Sequence, residues 1–221
     1  MNRMRTSALI VTVAVVSVLL FRWQMWGESA ATASPAQRFA DAVAELSADD
    51  GAVVAVVDGV AVPEAKVRAF LVFYSARTGV AGSELPWASI AEYVDMLIEN
   101  ELMFQEADRR GLVPSDEDVL SQARMQKEGL LEFMRQDTGD ARELRALFDQ
   151  VRGTPYHVDV YDSSPVMLDG MRRTMAIGLL RNELMQAFPD EVRNDPAKRE
   201  ASFRAYAAEL RAAADVNVLL K

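Results

Sequence analysis

The chain has no cysteine among its 221 residues. Disulfides, thiolate metal sites and cysteine nucleophiles are excluded together. A single histidine, His157, argues against histidine metal cages and Ser-His triads. The glycine-rich phosphate loops G-x-G-x-x-G and G-x-x-x-x-G-K-[ST] are missing, as are an H-E-x-x-H helix and a G-x-S-x-G elbow. No cofactor and no metal site is expected. Positive charge is scarce as well: 24 Lys and Arg stand against 33 Asp and Glu, for a net charge of −9. Arg3, Arg5 and Arg22 against Glu28 put +2 on residues 1–33, which leaves −11 on residues 34–221. So acidic a body argues against a nucleic-acid partner. These absences make an enzyme the weaker class and a binding protein the stronger one.

What is present begins with an apolar N-terminus. Arg3 and Arg5 precede an uncharged run from Thr6 to Phe21, followed by Arg22, Trp23 and Trp26. Ala8–Phe21 has the length of a signal-peptide core and is short for a span. An A-x-A cleavage pattern stands at Ala31-Thr32-Ala33, further from that core than such sites usually lie. Arg22 can snorkel and tryptophan favours the interface, so residues 7–26 are read as an uncleaved signal anchor in the inner membrane. A cleaved signal peptide within residues 1–33 is the alternative. Either way the body lies outside the cytoplasm, periplasmic or otherwise extracytoplasmic. The Ala-rich stretch 34–50, with Phe39, Val43 and Leu46 at helical spacing, is expected to be a linker or a short helix.

The body, 51–221, opens on the clearest β signal. A Val-rich run meets Asp58-Gly59, the strongest two-residue hairpin turn, and continues into Val60-Ala61-Val62. The hairpin is placed at 53–62, with Pro63 opening a helix. Two strands alone are marginal, and the only other convincing β run is Val216–Leu220. The C-terminus is therefore expected to return as a closing strand, 216–220, beside the hairpin. The helices, within 63–214, become the excursion between the two ends. The longest, Pro86–Gly111, carries Ile90, Val94, Leu97, Ile98 and Phe104 on one face. Leu102 and Met103 widen that stripe, and Gly111 stops the helix. Further helices are expected from Pro63 to Thr78, Ser115 to Arg135 and Asp140 to Val151, from a cap in Asp162-Ser163-Ser164-Pro165 to Phe188, and from Asp195 to Ala214, with the stretch 152–165 irregular. Glu99, Glu101, Glu106 and Asp108 of the long helix read as solvated surface. His157 reads as a loop histidine without a special role. The fold class is thus mainly α, with one small terminal sheet.

Four segments carry a resemblance. AVVAVVDGVAVPEAKVRAFL resembles the strand–turn–strand–helix opening of the SurA, PpiD and PrsA group of extracytoplasmic chaperones, which shares its fold with the chaperone part of trigger factor. LIENELMFQEADRRGLVPSDEDV resembles that group's next helix and helix start. SPVMLDGMRRTMAIGLL, with Asp162 and Ser163 before it, is similar to a segment of its shorter relatives, and AYAAELRAAADVNVLL to its closing helix and strand. Together they cover most of residues 51–221. The resemblance implies a chaperone domain of that kind, with the C-terminal strand on the hairpin. Many relatives insert a parvulin prolyl-isomerase domain, for which about 30 residues between Phe133 and Pro165 leave no room. It therefore implies a membrane-tethered, non-catalytic chaperone for unfolded exported polypeptides, even where the family label is peptidyl-prolyl isomerase. Residual isomerase activity, or a dedicated assembly module with a single partner, are the alternatives.

Eight methionines lie beyond residue 33, and methionine suits surfaces that accept many sequences. Most are expected to fill the core. The expected client contacts are Phe73, Tyr74, Trp87, Tyr93, Met96 and Met103, all large residues and some off the core faces.

Overall fold

The structure, a computed structural model, describes residues 35–48, 51–78 and 87–219. The proposed anchor and its A-x-A pattern lie outside the described residues, as do residues 79–86, between two of the expected helices. Among the described residues, no helix is long and apolar enough to cross a membrane. The chain is mainly α with a small three-stranded antiparallel sheet, as the sequence predicts.

The sheet is built from both ends of the body. Strand β1 is Val53–Val57 and β2 is Val60–Pro63. Asp58 and Gly59, with φ of 47° and 82°, make the two-residue turn between them. Both central residues sit in the left-handed region, which Asp tolerates and Gly adopts freely. Strand β3, Val216–Val218, pairs antiparallel with the other side of β1, so the order is β2–β1–β3. The closing strand is thus shorter than the expected 216–220, although the Leu219 N–H still donates to the Val54 carbonyl at 2.8 Å.

The pairing of β1 with β2 shifts register between Val53 and Ala55. The extra residue turns Val54 and Ala55 toward the same side. This explains why both are buried, along with Val57, in a strand where strict alternation would bury every second residue.

Pro63 ends β2 rather than opening the next helix, α2, which runs Glu64–Thr78. The long helix, α3, is Trp87–Arg109. Its C-terminus closes by a pair of backbone bonds: Gly111 N–H to Asp108 O and Leu112 N–H to Ala107 O, both 2.8 Å. Gly111 takes φ of 69° to make them, and Leu112 packs into the same cluster as Ala107.

Then follow α4 (Asp116–Arg135), α5 (Gly139–Gln150), a single 3₁₀ turn at Val158–Val160, and α6 (Pro165–Ala187). A short α7 (Asp190–Arg193), not expected from the sequence, leads into α8 (Pro196–Ala213). The starts follow capping chemistry. The side chains of Ser115, Thr138, Ser164 and Asp195 accept backbone N–H groups of their helices' first turns. Proline at the first helical position follows two of these caps, in α6 and α8. Ser164 is 4% exposed, so water does not replace its hydroxyl easily. Ser164→Ala is expected to cost about 1 kcal/mol in urea unfolding, with the m-value unchanged.

The stretch 34–50 takes the second of its two expected forms. Pro35–Ser47 is a helix, α1, packed on α2 and α5 rather than a linker. Val43 is buried with Met134, Leu144, Phe148, Val151 and Val158. The Phe39–Val43–Leu46 spacing is the stripe that makes this possible.

The helices divide the core between them. The sheet lies on α3 and α2 through Val57, Val67, Val94, Ile98 and Leu102. The C-terminal half of α3 packs on α6 and α8 through Met103, Ala107, Ala176, Leu180 and Ala207. Alanines at three of these positions let the helices approach closely.

Candidate functional site

The six expected contacts do not form one surface. Phe73 and Tyr74 fall on α2 and Trp87 is the first residue of α3, but their side chains lie outside the described residues. Tyr93 is half-buried against the sheet cluster, its ring stacked on Phe70 with centroids 4.0 Å apart and planes 8° from parallel. Burial raises its phenol pKa. Met96, one turn further along α3, is 44% exposed and available to a partner. Met103 is 3% exposed between α3, α6 and α8, so it is a core residue and cannot meet a client without unpacking the helices. Of the methionines beyond residue 33, Met96 and Met125 are the exposed large ones, while Met103, Met134 and Met171 are buried.

The carboxylates of α3 depart most from the sequence-based expectation. Glu101 and Glu106 are 8% and 5% exposed, not solvated. A helix with an apolar stripe this wide is covered by neighbours on most sides, so the polar residues between its apolar ones are covered too. Such residues must find partners, and the Arg172-Arg173 pair of the α6 sequence was the signal for one of them. Glu101 accepts from Arg173 Nη1 at 2.6 Å and from Gln105 Nε2 at 3.1 Å. Gln105 Nε2 also donates to the Val57 carbonyl at the end of β1, 3.1 Å away. The Arg173 guanidinium stacks 4.3 Å from the Phe104 ring centroid and reaches Asp169 at 3.1 Å. Through Glu101 and its two partners, the sheet, α3 and α6 are connected.

Glu106 is held more tightly still. It accepts from Arg109 at 2.8 and 2.7 Å, from Arg110 Nε at 2.6 Å and from the Tyr206 hydroxyl at 2.8 Å. Arg110 in turn donates to Glu183 at 2.7 Å and to the Tyr206 oxygen at 2.6 Å. The network ties α3 to α6 and α8. Burial pushes the Glu106 carboxyl up, but the hydrogen bonds from Tyr206, Arg109 and Arg110, with the Arg110 charge, outweigh it and hold its pKa below the ordinary carboxylate value. A carboxylate with its lone pairs engaged and its pKa lowered is a poor proton acceptor. The pair is a structural bolt, not an acid–base couple.

His157 is also buried, at 7% exposure, where the sequence suggests an undistinguished loop residue. Its Nδ1 accepts the Asp159 N–H at 3.2 Å and caps the 3₁₀ turn, and its ring meets Phe148 edge-on. Among the described residues, no group of three or more His, Asp or Glu is placed to hold a metal ion.

Exposed large apolar side chains are scattered: Val166 and Leu179 on α6, Met125 on α4, Val160 in the 3₁₀ turn, Val60 on β2. The exception is Val218 and Leu219, adjacent at the outer edge of the sheet and 47% and 44% exposed. Compared with family models, curated proteins and solved structures, the chain matches none of them.

Proposed function

We propose that the protein is a non-catalytic chaperone of the SurA, PpiD and PrsA kind, tethered to the inner membrane through residues 7–26, whose body binds unfolded exported polypeptides outside the cytoplasm. One observation carries the reading: the C-terminal strand returns to pair with the N-terminal hairpin. That closure of the two ends is what the four resembling segments imply. The region between α4 and α6 supports the absence of an isomerase domain, since α5 and one 3₁₀ turn account for its regular structure. Exposed Met96 and the Val218–Leu219 edge offer weak, sequence-tolerant apolar contacts, as many-site client binding requires.

The test is light scattering from an aggregating, chemically unfolded outer-membrane-type protein. Stoichiometric chaperone is expected to suppress the scattering, and Met96→Lys together with Leu219→Lys to weaken that suppression. Unchanged aggregation would reject the reading. A proline-limited refolding assay is expected to show no acceleration, and acceleration above background would favour the isomerase alternative. A pull-down dominated by one folded protein would favour an assembly module instead.

A further inference from the structure

A cleft of about 310 Å³ opens between the C-terminal part of α4, α5 and the Val158–Val160 turn. Leu131, Met134, Phe148 and Val158 line it with apolar surface. Its charged residues are Arg135, Arg145 and Arg152 against Asp149 and Asp159, a local excess of one positive charge in a chain of net −9.

His157 lines the same cleft. With Nδ1 accepting the Asp159 N–H, the neutral ring carries its proton on Nε2. Among the described residues no fully buried side-chain nitrogen or oxygen lacks a partner, and none of them bonds to Nε2. Nε2 is therefore not fully buried, and His157 lies on the cleft wall.

The arginines are available to different degrees. Arg152 pairs with Asp149 at 2.7 Å and Arg135 with Glu132 at 2.9 Å, all four side chains mostly in water. Exposed pairs of this kind are weak, so both guanidiniums can turn to a better anion. Arg145 is committed, its Nη1 donating to the Met134 and Gln136 carbonyls and so closing the end of α4.

We propose that this cleft binds a small apolar acid. An aromatic or branched aliphatic group would sit on the Phe148–Met134 floor, with its carboxylate taken by Arg152, Arg135 and His157 Nε2–H. The volume lies at the small end of ligand sites, which suits one ring or one side chain. The single excess positive charge suits a monoanion, and guanidinium matches carboxylate geometry in bidentate fashion. The chemistry is shared by free organic acids and by the C-terminal residue of a polypeptide ending in an apolar side chain. This site does not depend on the chaperone reading and stands or falls separately.

Because the chain has one histidine, its imidazole NMR signals need no assignment. The full-length chain is titrated with 3-phenylpropionate, with its amide, and with a hexapeptide ending in phenylalanine as free acid and as amide. The acids are expected to shift the Nε2-coupled signals saturably at roughly millimolar concentration or below, and each amide to bind at least about tenfold more weakly, a charge-assisted bond being lost. Arg152→Gln and Arg135→Gln, both at exposed positions, are expected each to weaken the acids severalfold. Binding of both acids supports the shared chemistry, binding of phenylpropionate alone a metabolite-type ligand, and binding of the peptide acid alone a C-terminus. Equal shifts from acid and amide, shifts indifferent to both arginine variants, or no saturable shift would each overturn the proposal.

Discussion

Asn217→Pro is expected to lower stability by about 2–3 kcal/mol, while Val218→Pro, one residue on, costs about 1 kcal/mol or less. The difference follows from the direction of the backbone groups. Asp58 N–H donates to Asp215 O at 2.9 Å, and Leu219 N–H to Val54 O at 2.8 Å. Asn217 lies midway in this register, opposite Val56. In an antiparallel pair the bonded positions alternate, so Asn217 presents its N–H to β1 and Val218 presents its N–H to solvent. Proline at 217 deletes a ladder donor and orphans an acceptor, whereas at 218 it meets only the free edge. Urea unfolding followed by circular dichroism reads both variants. Equal losses, or a larger loss at 218, would mean that the closing strand is not paired in this register. The architecture on which the proposed function leans would then be gone.

Glu106→Ala is expected to cost about 3 kcal/mol near neutral pH, a fall in Tm of roughly 6–12 °C for a chain of this size. The figure sits at the low end for a broken buried ion pair because Arg109 is mostly in water and Arg110 keeps Glu183. The loss comes largely from the Arg110 and Tyr206 groups left without their shared acceptor. The pH dependence has a definite sign. The folded-state pKa of Glu106 is held below its ordinary value of 4.5, so its contribution is fully present above that value and disappears as pH falls through the lower folded value. Wild type and variant should therefore differ most near pH 7, with the gap narrowing below about pH 4. Thermal melts across that range test it. A gap of the same size at low pH would assign the loss to lost packing instead of to the ionised network.

These two predictions mark the boundary of what was readable in the residues. The hairpin was legible because Asp58-Gly59 specifies its turn over two positions. The helix starts were legible because Ser115, Ser164 and Asp195 cap within three residues of themselves. The end of α3 was legible because Gly111 supplies a left-handed residue where the helix must stop. Each of these signals acts over less than two helical turns. The return of β3 was inferred from a shortage of strands: two alone are marginal and only one other run could join them.

The burial of Glu101, Glu106 and His157 was not legible in the same way. A glutamate on a helix looks alike whether it faces water or a neighbouring arginine, and the partners Arg173 and Tyr206 lie 72 and 100 positions away. Helix α1 shows the same limit. Its stripe fits a free amphipathic helix as well as a packed one, and only the surfaces of α2 and α5 decide between them.

The sequence by itself determined the elements: a mainly helical body, a valine hairpin closed by the C-terminal strand, and caps and stops close to where they occur. Tertiary structure alone decided which faces are covered. Met96 and Met103 stand seven residues apart on α3 and point nearly the same way, since two turns take about seven residues. Yet one is 44% exposed and the other 3%. Periodicity assigns them one face. Ala176, Leu180 and Ala207 of α6 and α8 close over Met103 and make it a core, while Met96, next to the Asp95–Arg211 pair, stays at the surface, because burial depends on what lies opposite a side chain and not on its own spacing.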